Sequence, residues 1–353
     1  MKKILGFLFS VLFVILPFVE GKDFILKLER EFEVDYGTSS FDYFNGKFYL
    51  SNHLLNQIII CNEKGEELNR IGKKGNGPSE FGTGSPGSVL IFEGKILVND
   101  PGNLRLQIFD LNGNFLKQLK FMKDIPLFPL LKIYPVGKNK LGLYGYSFEA
   151  KENEAKMYHK FLVFNLEDNS SKEIYSGFYM KFDMESLRSI NPFSGFPPPV
   201  LKNNFVFQAD REDYFIEIYD IEGKKLKEIK RKWKKVSITE DLKKYFSEKE
   251  EFQMAKKLSQ GMIDFAFPSH FPPLKGILVL GDKLLVETWK SWYEKNFKGK
   301  EKNFYVDIFD LEGEYIGEGK TNFEVDEVEI IKEGKVFVLH REEEKKVVRV
   351  FRQ

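Results

Sequence analysis

Gly94-Lys95-Ile96-Leu97-Val98-Asn99-Asp100, followed by Leu106-Gln107-Ile108-Phe109-Asp110-Leu111-Asn112-Gly113-Asn114-Phe115, decides the architecture because it recurs. An earlier copy reads Gly46-Lys47-Phe48-Tyr49-Leu50, then Ile58-Ile59-Ile60-Cys61-Asn62-Glu63-Lys64-Gly65. A late copy reads Gly281-Asp282-Lys283-Leu284-Leu285-Val286, then Val306-Asp307-Ile308-Phe309-Asp310-Leu311-Glu312-Gly313. Each copy consists of short apolar runs rich in Ile, Val, Phe and Tyr that stop at Gly, Asn, Asp or Pro, the pattern of strands joined by turns. The interval from Lys47 to Gly65 and from Lys95 to Gly113 is 18 residues in both cases. The Asn/Asp-rich turns ending at Gly65, Gly113 and Gly313 read as hairpins whose two central residues take positive φ.

The turns also march along the chain. Gly65 to Gly113 is 48 residues, Gly113 to Asn169 is 56, Asn169 to Gly223 is 54 and Gly223 to Gly313 is 90. Each period accommodates about four strands, which makes it a propeller blade. Six blades are counted from their second and third strands, near Phe48/Ile58, Ile96/Leu106, Leu141/Phe161, Phe205/Phe215, Leu284/Phe304 and Val336/Val347. The sixth is one strand short, and Phe24-Ile25-Leu26-Lys27-Leu28 is available to complete it, closing the ring and removing its exposed edges. The expected fold is therefore an all-β, six-bladed β-propeller of four-stranded antiparallel blades, closed by the N-terminal strand, with a helical insertion around 239–260.

Arg70-Ile71-Gly72-Lys73-Lys74-Gly75-Asn76-Gly77-Pro78-Ser79-Glu80-Phe81, followed by Leu97–Asp100 and Leu106–Asp110, resembles the NHL-repeat six-bladed β-propellers, most nearly their exported bacterial branch. The resemblance is sharp over about residues 45–120 and is a strand rhythm elsewhere. It implies the fold. The functions of that family range from ligand and protein binding to lyase and lactonase-type chemistry, so it selects no activity.

The 353 residues carry 54 Lys and Arg against 53 Asp and Glu. Residues 1–21 read as a signal peptide: Lys2 and Lys3 precede the apolar stretch Ile4–Leu16, and Val19 and Gly21 suit a signal-peptidase site. Residues 22–353 then form a single propeller domain with an insertion at about 231–273, exported to the periplasm or beyond, with no membrane span after signal removal. Its charge balance is neutral and offers no field for nucleic acid. The only cysteine, Cys61, excludes an internal disulfide.

The long connections sort to one face. Between strands two and three lie Gly145–Tyr158 and Trp289–Asn303; between blades lie Gly72–Pro86, Lys123–Pro129, Phe178–Pro199 and Lys230–Pro273. The other face has tight turns alone, so function is expected on the loop-rich face. Thr239, with Glu240 and Asp241 behind it, starts a helix over 239–260 that ends at Gly261 and carries a stripe of Leu242, Tyr245, Phe246, Phe252, Ala255 and Leu258.

The candidate ligand-binding residues are His53, Asp100, Arg105, His270, Trp289, Trp292 and His340. His53, Asp100, Thr288 and His340 end the second strands of their blades. Trp289, Trp292, His270 and Phe271 are suited to an aromatic wall for a peptide, sugar or apolar ligand. Asp100, Asn103 and Arg105 equally suit the bracing of a hairpin. Lys224–Arg231 and Lys232–Lys235 hold eight basic residues around Trp233, a run that reads as the guarded edge of an outermost strand.

No spacing supports a metal site, a cofactor or a nucleophilic triad, and no catalytic residue is assigned. The leading expectation is a monomeric propeller that binds a ligand or protein partner. The alternative is a hydrolase or lyase with a polar site at the channel mouth, for which Asp42, Glu93, Asp282 and Glu329 are the acidic candidates. A third is an envelope component that uses the basic strand.

Overall fold

The computed structural model describes residues 23–352 apart from 152–153, 184–188, 194, 211, 250–251, 254–256, 258–263, 300–301 and 343–344. The segment 1–21, and Ala255, Leu258 and Gly261 of the expected helix, lie outside the described residues.

Six four-stranded antiparallel sheets follow one another along the chain. Blade one is Thr38–Phe44, Lys47–Asn52, Gln57–Asn62 and Glu67–Ile71; blade two is Val89–Phe92, Lys95–Asp100, Arg105–Asp110 and Phe115–Lys120. Blade three is Leu130–Gly137, Lys140–Lys151, Glu154–Asn165 and Ser171–Asp183; blade four is Val200–Lys202, Phe205–Ala209, Phe215–Asp220 and Lys225–Lys230. Blade five is Leu274–Leu280, Lys283–Thr288, Phe304–Asp310 and Tyr315–Thr321. Blade six takes Val328–Lys332, Lys335–Arg341 and Lys346–Arg352 from the C-terminal end of the chain and Lys27–Val34 from the N-terminal end.

Six apolar clusters fill the spaces between neighbouring blades, among them Leu97, Ile108, Leu141 and Leu162 between blades two and three. The middle strands are therefore covered on both sides and read as continuous apolar runs, as in Ile96-Leu97-Val98.

The turn chemistry differs from the expectation. Positive φ at both central residues occurs in the hairpins between strands one and two, at Asn45/Gly46, Glu93/Gly94, Asn203/Asn204 and Glu333/Gly334. The turns at Gly65, Gly113, Gly223 and Gly313 instead pair one left-handed residue with a bulge in the third strand, as between Ile108 and Phe109. The Asp or Asn that opens each of these turns explains the repeated phrase. Asp110 Oδ1 accepts the N–H groups of Asn112 and Asn114 at 2.9 Å each, and Asn62 and Asp220 do the same in their blades.

The closing strand begins at Lys27, later than expected, and pairs with the last strand from Lys27↔Arg352 to Val34↔Lys346. The residues before it cross to blade five: Phe24 N–H donates to Lys320 O at 2.6 Å, and Asn322 Nδ2 donates to Leu26 O at 2.9 Å. A chain starting at residue 35 is expected to lose about 3 kcal/mol or more, from Phe32 and Val34 alone, and to self-associate through the bared Lys346–Arg352 edge. An unchanged Tm with monomeric elution on size exclusion is the opposing result.

Blade three also departs from expectation. Gly145–Tyr158 is no loop: the ladder of strands two and three continues without a break to Lys151↔Glu154, and the fourth strand follows to Asp183. This hairpin overhangs the blade on the face that carries the insertions.

Candidate functional site

Three insertions interlock over blades three to five. Ser189–Ile190, from the crossover between blades three and four, pairs in parallel with Asp264–Phe265 of the large insertion. Helix α1 (Glu240–Ser247) is capped by Thr239, whose Oγ1 accepts from Leu242 N–H at 3.4 Å; the expected 239–260 element breaks after it at Glu248–Lys249 and is helical again at Phe252, Gln253 and Lys257. It buries Leu242 and Phe246.

Helix α2 (Trp289–Trp292) lies in the blade-five insertion, where Thr288 Oγ1 accepts from Ser291 N–H at 3.3 Å. Trp292 stacks on Phe246 at 5.4 Å between ring centroids, and Trp289 lies parallel to Phe271 at 4.8 Å. Phe193 touches Phe246, Phe271 and Trp289. These rings form a second core above the blades, which holds the insertions as a roof.

Under and beside this roof lie two clefts. The first, about 380 Å³, is lined by Tyr214 and Arg231, which flank the last two strands of blade four, Asp307 and Glu318 of blade five, Lys290 of α2, and the Pro272-Pro273 pair. The second, about 450 Å³, is lined by Met180, Phe193, Glu212, Lys235 and His270 among others. Trp233 and Pro272 border both, so the two lobes form one groove with a ring-and-proline ridge between them. Trp233 is fixed by its indole N–H, which donates to Asp213 Oδ1 at 3.0 Å.

The floor of the first lobe is polar and ordered. Tyr214 Oη donates to Asp307 Oδ2 at 2.6 Å, and Arg231 Nη1 donates to Asp307 Oδ1 at 3.1 Å. The Arg231 guanidinium also lies 3.7 Å from the centroid of the Tyr315 ring. Burial raises the Asp307 carboxyl above the ordinary range, opposed by the Tyr214 hydrogen bond and the Arg231 charge. Burial, together with the Asp307 charge, holds Tyr214 neutral far above neutrality, so its hydroxyl serves as the donor.

Of the seven candidates, His270 lines the second lobe, with Ser269 Oγ 2.8 Å from its Nδ1. Trp289 and Trp292 are packed into the roof over the groove. The other four stand in other blades. Asp100 and Arg105 form a buried ion pair in blade two at 2.8 Å. Arg105 donates onward to the carbonyls of Asn76, Gly77 and Glu80, and Asp100 Oδ1 accepts from Gly82 N–H. Their polar atoms are spent on holding the Gly72–Phe81 loop to the blade.

His53 is in blade one, with its N–H bonded to Gly37 O. His340 is in blade six, 2.8 Å from Glu327 Oε2. These bonds engage both residues with groups in or next to their own blades. Of the acidic candidates, Glu329 and Asp42 stand near one another: burial and the Asp42 charge raise the Glu329 carboxyl above its ordinary range, opposed by Lys132 and Lys346. Glu93 and Asp282 sit at turns on the opposite face, and Asp42 is buried against Lys332 and the N–H of Ile91.

Sequence reading missed Tyr214, Arg231, Asp307 and the role of Trp233. The basic run reads as the edge of an outer strand, but that strand ends at Lys230, and Arg231–Lys235 belongs to the crossover Lys230–Pro273 over the loop-rich face. The available signal was Asp307, a carboxylate set in the apolar run of a third strand.

A second polar assembly lies between blades five and six. Lys275 is the extra residue of a bulge between Leu274 and Gly276. Its ammonium is 2.6 Å from Glu324, pairs with Asp326, and is 3.9 Å from the fully buried Glu287. Glu287 Oε2 accepts from Val325 N–H at 2.8 Å, and its Oε1 has no hydrogen-bond partner. Among the described residues no group of three or more His, Cys, Asp or Glu side chains is arranged to hold a metal ion.

The fold and this geometry define the class as a six-bladed β-propeller with an elaborated loop face. The chain belongs to the DUF5128 family of 6-bladed β-propellers, whose model matches residues 24–268. Among solved structures it is similar to a Bacteroides fragilis protein described as an export candidate, at 14% identity and TM-score 0.50 over 94% of this chain and 96% of that one. It also matches a DUF4221 member from Bacteroides vulgatus (14% identity, TM-score 0.47, 93% and 97% covered). A virginiamycin B lyase from Staphylococcus aureus matches at 12% identity and TM-score 0.45, with 92% and 99% covered. Identities this low speak to the fold alone. No curated protein matches the chain in sequence.

Proposed function

We propose that this chain is an exported, monomeric binding protein, its domain starting at about residue 22, and that its ligand lies in the two-lobed groove on the loop-rich face. One observation carries the reading: both lobes share the Trp233–Pro272 ridge, on the face where every long insertion gathers. The rigid floor made by Tyr214, Asp307 and Arg231 supports it, because a pre-ordered polar floor lowers the cost of binding. The reading is of a ligand bound rather than transformed: the one hydroxyl–imidazole contact in the lining among the described residues, Ser269 Oγ with His270 Nδ1 at 2.8 Å, joins adjacent residues at the exposed edge of the second lobe.

The test is a screen of the secreted protein against arrayed saccharides and peptides, with the hits repeated on two variants. Trp233→Ala is expected to weaken the captured ligand by at least about tenfold, the scale of a lost aromatic contact at a binding centre. Lys64→Ala, at an exposed turn of blade one, is expected to bind as the wild type does. Equal binding by wild type and Trp233→Ala would remove the groove from the function.

A further inference from the structure

We infer that the groove receives an acidic saccharide chain: Arg231 takes a carboxylate or sulfate of one ring while Trp233 lies against the face of a neighbouring ring. The inference rests on the reading of the groove as the binding site and names its ligand class.

The first ground is the state of Arg231. A guanidinium has five N–H donors; Arg231 gives one to Asp307 and also hydrogen-bonds the Tyr315 hydroxyl, which leaves three. Its plane is set by the Tyr315 ring, and it lines the first lobe. The free donors form a held fork, the geometry that matches two oxygens of a carboxylate or sulfate.

The second ground is local charge. The chain as a whole carries a formal charge of only +1, yet Lys232, Lys234 and Lys235 have no carboxylate within ion-pair distance among the described residues. Lys232 and Lys234 line the first lobe and Lys235 the second, so the unspent charge follows the groove across its ridge. By contrast, Lys225, Lys227 and Lys230, on the strand just before, are all paired with glutamates.

The third ground separates a saccharide from an acidic peptide. Glu294 and Glu318 stand in the first lobe and Glu212 in the second. A glutamate-rich peptide brings acceptor-only side chains against these carboxylates and is repelled. An acidic saccharide carries one charged group per ring among hydroxyls, and hydroxyls donate to carboxylates. The walls between are flat: the indole of Trp233, the ring of Tyr305, and Pro272 with Pro273. Flat apolar walls suit the C–H faces of pyranose rings.

Calorimetric titration of the full secreted protein tests this with four probes: a galacturonate oligomer, a sulfated chondroitin oligosaccharide, a neutral cello-oligosaccharide and an oligoglutamate. At least one of the first two is expected to bind, more weakly as salt rises. Which of the two binds tells carboxylate from sulfate. Arg231→Met is expected to weaken it by about tenfold or more, the scale of a lost charged hydrogen bond. Because Arg231 also partners Asp307, the exposed pair Lys232→Ala/Lys234→Ala supplies a variant without folding risk, expected to lose about threefold and to flatten the salt dependence.

Tighter binding of oligoglutamate, equal binding of the neutral oligomer, or indifference of the acidic ligand to both variants overturns the inference. If the neutral sugar or the peptide binds and Trp233→Ala abolishes it, the groove stands as a site and its acidic ligand falls. If no probe responds to Trp233→Ala, both fall.

Discussion

Replacing Lys275 by methionine is expected to destabilise the folded protein by about 3–5 kcal/mol, the cost of leaving buried charges without their partner. In the wild type one ammonium stands among Glu287, Glu324 and Asp326, at the junction of blades five and six. The junction has no slack: a Cβ placed on the adjacent Gly276 would lie 3.0 Å from Asp326 Cβ and 3.1 Å from its amide nitrogen. Removing the cation leaves three carboxylates facing each other, Glu287 fully buried, Glu324 largely so and Asp326 at the exposed edge.

The pH dependence of this variant has a definite sign. Burial pushes the Glu287 carboxyl up to about 8, against the opposing charge of Lys275. In the unfolded chain its ordinary value is near 4.5. The stability contributed by the neutral acid is therefore complete below about pH 4.5 and is lost as pH rises through 8. Without Lys275 the raised values of Glu287 and Asp326 move further up, so stability falls more steeply between pH 5 and 8 than in the wild type. Thermal melts across that range check the slope, and adding Glu287→Gln is expected to restore part of the loss. A Lys275→Met protein as stable as wild type at pH 8 would show that the cluster is solvated.

Arg105→Met is the second large effect, again about 3–5 kcal/mol. Arg105 holds Asp100 and donates to three carbonyls of the Gly72–Phe81 loop, while Asn103 Nδ2 donates to Gly75 O. The substitution leaves Asp100, which is fully buried, without its cation and orphans those carbonyls. The expected signature is a lowered Tm with proteolysis concentrated in residues 72–82. Ligand binding at the groove, two to three blades away by chain order, is expected to survive at temperatures where the variant is folded. Loss of binding in the folded variant would instead return Asp100 and Arg105 to the list of ligand contacts.

Much of the scaffold was legible because a propeller blade is a local object. The hairpin turns, the Asp or Asn that caps them and the alternation of apolar runs lie within a few tens of residues, so their spacing shows in the chain. The second and third strands of blades one, two, four and five followed from that spacing, and the make-up of the sixth from the shortage of one strand. Blade three misled, because nothing in Gly145–Tyr158 marks the end of a strand. A long two-stranded overhang and a loop differ by hydrogen bonds that the composition there does not announce.

The site was legible in part. Its face followed from the placement of the insertions, and His270 from its place beside them. Trp289 and Trp292 were singled out for their rings, but whether clustered rings line an opening or fill a core depends on what packs against them. Phe193, Phe246 and Phe271 arrive from three separate segments and bury them.

The sequence by itself determined the blade, the number of blades, the end of the chain that closes the ring and the face that carries the insertions, since each follows from short-range turn chemistry and from repetition. Only the tertiary structure decided which side chains meet on that face. Tyr214 and Asp307 are 93 residues apart, and Arg231 and Asp307 are 76 apart. They touch because blades four and five are neighbours and the crossover between them folds back over both. No periodicity encodes such a meeting; it is set by the packing of one blade on the next.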